Sequence, residues 1–80
     1  MKIYVGNFPS TTTEKELRET FESFGQVEST AIVKDNFSGR SRGFGFVEMP
    51  SMDEACLAID SLNLRGLRGR TLYVNAALQW

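Results

Sequence analysis

Hydrophobic and polar positions change their period along the chain, and each change marks an element. Residues 2 to 7 alternate, with Ile3 and Val5 on one side and Tyr4 and Gly6 on the other, the period of a half-buried strand. Pro9 ends it. Thr13 followed by Glu16 has the spacing of a capping box and starts a helix. Leu17, Thr20, Phe21 and Phe24 recur at helical spacing until Gly25. Residues 27–34, rich in Val, Ile and Thr, read as a second strand. Thr30 and Ile32 fall on one face of it, Ala31 and Val33 on the other. Asp35 to Ser41 has turn chemistry. A third strand is expected from about Gly43 to Met49, closed by Pro50.

Ser51 with Glu54 repeats the capping signal, and Ala55, Ala58, Ile59 and Leu62 give the apolar stripe of a second helix. Asn63 to Arg70 reads as a loop punctuated by Gly66 and Gly69. Leu72 and Val74 then alternate with Tyr73 and Asn75 as a last strand. The order strand-helix-strand-strand-helix-strand is the split βαβ pattern. Right-handed crossovers place both helices on one face of the sheet. The expected fold is therefore α+β, a ferredoxin-like βαββαβ sandwich with a four-stranded antiparallel sheet. Its 80 residues make one small domain, 1–80.

The open face of such a sheet decides what the molecule does. On the third strand Phe44, Phe46 and Glu48 share one face, while Gly45, Val47 and Met49 share the other. Val47 and Met49 suit a core, so the phenylalanines point away from the helices. Tyr4 has the same outward parity, and neighbouring first and third strands would gather three rings on an open face. Solubility argues against exposing them without a ligand. A nucleic-acid base is a good one: stacking on an aromatic side chain contributes about 1–3 kcal/mol and tolerates any sequence. Arg42, at the strand entrance, suits a phosphate.

Composition narrows the classes. Histidine is absent, which removes the commonest general base and transition-metal ligand, and Cys56 is the only cysteine. No nucleophile-base pair, zinc spacing or P-loop is present, so neither catalysis nor a metal or cofactor is expected. No apolar run is long enough to span a membrane. The net charge of −1 argues against purely electrostatic nucleic-acid binding. Its distribution changes that picture. Glu14, Glu16, Glu19, Glu22, Asp53, Glu54 and Asp60 lie on the expected helices, whereas Lys2, Lys34, Arg40, Arg42, Arg65, Arg68 and Arg70 lie on strands or loops. The helix side is expected to be negative and the sheet side positive.

The run Arg42-Gly43-Phe44-Gly45-Phe46-Val47-Glu48-Met49 resembles the eight-residue ribonucleoprotein motif of RNA-recognition-motif domains, departing only at Met49, where an aromatic is usual. Ile3-Tyr4-Val5-Gly6-Asn7-Phe8 resembles the family's six-residue motif, with Phe8 where leucine is commoner. The resemblance covers essentially the whole chain and extends to the short, single-domain versions known from bacteria and plant organelles. It implies single-stranded RNA as partner. Tyr4 and Phe46 would stack on bases, Phe44 would lie against sugars, and Arg42 would hold a phosphate. Lys2, Ala31, Val33, Lys34, Glu48, Tyr73 and Asn75 would line the same surface. Residues from Ala76 through Ala77 to Trp80 would close over or extend it. A monomer is expected, in the cytoplasm, or in the nucleus or an organelle of a eukaryote.

Other readings stand beside this one. The fold also serves as a protein-interaction module, and single-stranded DNA suits stacking as well. Phe37 either touches RNA or packs locally at a hairpin tip. Arg40 either meets phosphate or is solvated. Arg65, Arg68 and Arg70 read as a solvated basic loop, with Leu67 as a core anchor between them. Cys56 reads as a small, semi-buried residue. Leu64 stands where the family often has glycine, so an unusual loop path is expected. Trp80 stacks on the sheet, stacks on RNA, or merely ends the chain.

Overall fold

Each helix begins where a hydroxyl can take up a free backbone N–H. The Thr13 and Ser51 side chains accept from the N–H groups of Glu16 and Glu54, at 3.1 and 3.3 Å. In the computed structural model, which describes residues 1–77, this starts α1 (Glu14–Glu22) and α2 (Met52–Leu62). The expected return bond of each box is replaced by a long-range one. The Glu16 carboxylate pairs with Arg68, and that of Glu54 accepts from the Gln26 N–H at 3.0 Å. Both acids thus tie a helix start to chain far away in sequence.

The strands are β1 (Lys2–Gly6), β2 (Ser29–Lys34), β3 (Ser41–Glu48), the short β4 (Gly66–Leu67) and β5 (Arg70–Thr71), and β6 (Tyr73–Ala76). β2, β3, β1 and β6 form, in that order, a four-stranded sheet whose pairs are all antiparallel. This is the expected ferredoxin-like βαββαβ sandwich. Ile3, Val5, Ile32, Val47 and Val74 from the sheet, with Met49 just after β3, pack against Leu17, Phe21, Ala55, Ala58 and Leu62 from the helices. Burying a large apolar side chain stabilises the fold by about 1.5–3 kcal/mol, so this one layer carries most of the stability.

Three local expectations are corrected. The stretch from Asn63 to Arg70 is not a plain loop, because β4 and β5 pair as a small hairpin. Arg68 and Arg70 are not merely solvated. Arg68 crosses to Glu16 and donates to Thr11 Oγ1 at 3.2 Å, while Arg70 donates to the Asn7 side-chain oxygen at 2.8 Å. Cys56 is exposed rather than semi-buried. Leu64 does take an unusual path, a left-handed turn with φ 68°, and Leu67 does pack against the core.

Among the described residues no helix is long and apolar enough to cross a membrane.

Candidate nucleic-acid interface

Register across the sheet explains how the aromatic residues meet. Tyr4 lies opposite Phe46 on one side and Asn75 on the other, and Phe46 lies opposite Ala31. In the next row Gly6 lies opposite Phe44 and Tyr73. Directly opposed residues project to the same face, so Ala31, Phe46, Tyr4 and Asn75 form one row of the open face, flanked by Phe44 and Tyr73. Tyr4 is the hub. Its ring centroid is 6.1 Å from that of Phe44 and 6.0 Å from that of Phe46, the latter pair meeting edge to face. These separations fall within the favourable range for aromatic pairs. The three rings are half-buried and hold one another in place.

Glycines make this possible, though not by leaving open backbone beside the rings. The Tyr4 ring is seated over Gly6, where an added Cβ would stand 2.8 Å from the ring's Cζ. Gly43 takes φ +81°, a left-handed conformation that favours glycine, where β3 gains residues relative to β2 between Ile32 and Lys34. Gly45 faces the core side, where a Cβ would press into the β2 backbone at Ala31 and Ile32. The sequence reading missed the seat at Gly6, whose only signal was two-residue spacing from Tyr4.

Cations edge the rings. Lys2 Nζ lies 4.6 Å from the Phe46 centroid and Arg42 Cζ lies 5.7 Å from that of Phe44, both within cation–π reach. Glu48 lies opposite Lys2, half-buried. Tyr73 and Asn75 are exposed on β6, Val33 is half-buried on β2, and Ala77 donates its N–H to the Lys2 carbonyl at 2.9 Å. Two expected members lie elsewhere. Lys34 and Arg40 line a cavity on the helix side of β2, together with Ile32 and the chain before α1. Strand parity puts Lys34 on the face of Thr30 and Ile32, where it is found; only the resemblance sets it with the rings. Trp80 lies outside the described residues.

One carboxylate holds the β2–β3 loop, together with backbone bonds from the Asp35 N–H to the Arg40 carbonyl and from the Gly39 N–H to the Asp35 carbonyl. Asp35 Oδ1 accepts from the Phe37 and Ser38 N–H groups at 2.7 and 3.1 Å. Those bonds, with a smaller contribution from the Arg42 charge, hold its carboxyl below the usual 3.8. Phe37 beside it is 100% exposed and packs on nothing. Because the folded acid ionises more readily than the unfolded one, its support is complete above the ordinary carboxylate value and is lost as pH falls through the lowered one. An NMR pH titration is expected to move the Phe37 and Ser38 amides with a common midpoint below 3.8; a midpoint at or above it would mean that the carboxylate does not hold the loop.

A family model described as RNA recognition motif matches residues 3–73. The chain belongs to that family. It is 45% identical over 95% of its length to glycine-rich RNA-binding protein 1 of Mycosarcoma maydis. It is 49% identical over 95% of its length to the chloroplastic 28 kDa ribonucleoprotein of Nicotiana sylvestris. It spans 43% of the first and 28% of the second. Among solved structures, RNA binding protein PG1 superposes with a TM-score of 0.96 at 41% identity, covering 100% of this chain and 96% of that one. The resemblance carried by the two short motifs is therefore real family membership.

Proposed function

We propose that this chain, residues 1–80 acting as one unit, binds single-stranded RNA without catalysing a reaction. The observation that carries the reading is the ring cluster at the centre of the open face, with Tyr4 about equally distant from Phe44 and Phe46. Bases stack on Tyr4 and Phe46, Phe44 meets the sugar between them, and Arg42 takes a phosphate. Lys2 and Arg42 occupy the ring faces when no base is present; an arriving base displaces them, and both charges then serve the backbone. Val33, Glu48, Tyr73, Asn75 and Ala77 border the strand path, and the side chains of Glu48, Tyr73 and Asn75 offer hydrogen bonds that select bases. The names of the relatives support RNA as the ligand. They do not support the cytoplasm as the expected place: the Nicotiana sylvestris relative is chloroplastic, and an organelle is the compatible alternative.

The test is an amide-resolved titration with a pool of short random single-stranded RNA, alongside DNA of the same length. Shifts are expected at Tyr4, Phe44, Phe46 and Ala77, with the helix amides unmoved. An unchanged sheet face at low salt would overturn the reading, and equal shifts with DNA would broaden it to single-stranded nucleic acid.

A further inference from the structure

Glu48 is the one acid among the described strand residues on the ring face. It sits in the row next to Phe46, opposite Lys2 on β1 and Ser29 on β2. Two residues along a strand span roughly 6.6 Å, which brings its carboxylate within reach of the edge of a base stacked on Phe46. Lys2, in the same row, demonstrates that reach, with Nζ 4.6 Å from the Phe46 centroid. Lys2 and Glu48 form no salt bridge with each other within the described residues. One carboxylate oxygen of Glu48, Oε2, lies 3.6 Å from the Met1 amine, whose shorter bond of 2.6 Å goes to the Met49 carbonyl. The Glu48 side chain is 35% exposed, so its head is open to a ligand on the sheet.

The sign of this charge is the deciding observation. A carboxylate on a surface that meets phosphates is repelled by them, and it suits that surface only where it accepts hydrogen bonds from a base. An ionised carboxylate can accept and never donate. Guanine alone among the four bases offers it two donors on adjacent atoms, N1–H and the N2 amino group. Adenine and cytosine each offer one amino group, beside a ring nitrogen whose lone pair faces the second carboxylate oxygen. Uracil offers one N–H between two carbonyls. Bidentate, charge-assisted pairing is the strong kind, and only guanine completes it here.

We propose that Glu48 selects guanine for the place on Phe46, both carboxylate oxygens accepting from the base edge while the base stacks on the ring. This rests on the RNA binding proposed above and adds to it the base preferred and the residue that prefers it.

The experiment is an amide-resolved titration of the full chain with hexauridine, and with hexauridine carrying one central guanosine, inosine, adenosine or cytidine. The guanosine strand is expected to bind at least about five-fold more tightly than the uridine, adenosine and cytidine strands. Intermolecular NOEs are expected to place its guanine on the Phe46 ring. Inosine lacks the N2 amino group and is expected to lose most of the gain. Glu48→Gln keeps the size of the side chain and turns one acceptor into a donor. It is expected to erase the guanine preference and to keep the binding of hexauridine. Equal binding of all the strands overturns the proposal, as does a guanine preference that survives Glu48→Gln or a guanine that stacks on Tyr4 instead. In each of those cases the ring face still shifts, and the RNA reading stands. A ring face that no strand moves overturns both.

Discussion

A Phe44→Ala, Phe46→Ala double variant is expected to lose RNA affinity by roughly 2 kcal/mol or more, about 30-fold, since each stacked base contributes about 1–3 kcal/mol. It is also expected to fold. Both rings stand on the open face, whereas the β3 core contacts come from Val47, with Met49 just beyond the strand, and both are fully buried. The amide spectrum of the free variant checks the fold, and binding to short single-stranded RNA checks the affinity. The loss should be nearly independent of salt, because stacking releases no counterions. An Arg42→Gln variant should instead flatten the salt dependence, by a slope of about 0.7 for one single-strand phosphate. A double variant that binds within three-fold of the parent would remove the rings from the account.

Gly45→Ala is expected to act on the fold instead. Gly45 is buried in β3, where a Cβ would stand 3.1 Å from the Ile32 Cα and closer still to the Ala31 carbonyl. Both obstacles are backbone, so relief requires β2 and β3 to separate or tilt. Overpacking of this kind costs about 1–3 kcal/mol. For a domain of this size each kcal/mol lowers Tm by roughly 4–8 °C, so a fall of roughly 5–20 °C in thermal unfolding is expected. RNA affinity measured well below Tm should fall much less than in the ring variant. An unchanged Tm would mean that the strands have room to spare, and that glycine at this position answers some other need.

The two variants separate what was legible from what was not. Alternation around Tyr4, Phe44 and Phe46 is enough to place all three rings on one face, because strand parity follows from backbone geometry alone. The same is true of Thr13 and Ser51, whose capping depends on residues within one helical turn. Local rules failed where a partner came from far away. The roles of Arg68 and Arg70 depend on Glu16 and Asn7, more than fifty positions distant. Lys34 shares the parity of Ile32 and lies with it on the helix side, so local alternation was the better guide there than the surface the resemblance implied.

The sequence by itself determined the order of elements, the core face of each, the family and the set of rings, all of which depend on period and short spacing. Tertiary structure decided that Tyr4 sits between the other two rings, that Gly6 and Gly45 make room for a ring and a strand, and that Thr12, Lys34 and Arg40 share a cavity with the start of α1. The reason is physical. Periodicity states which way a side chain points, but the groups it meets are set by strand order and register, and those emerge only when the whole chain closes around one core.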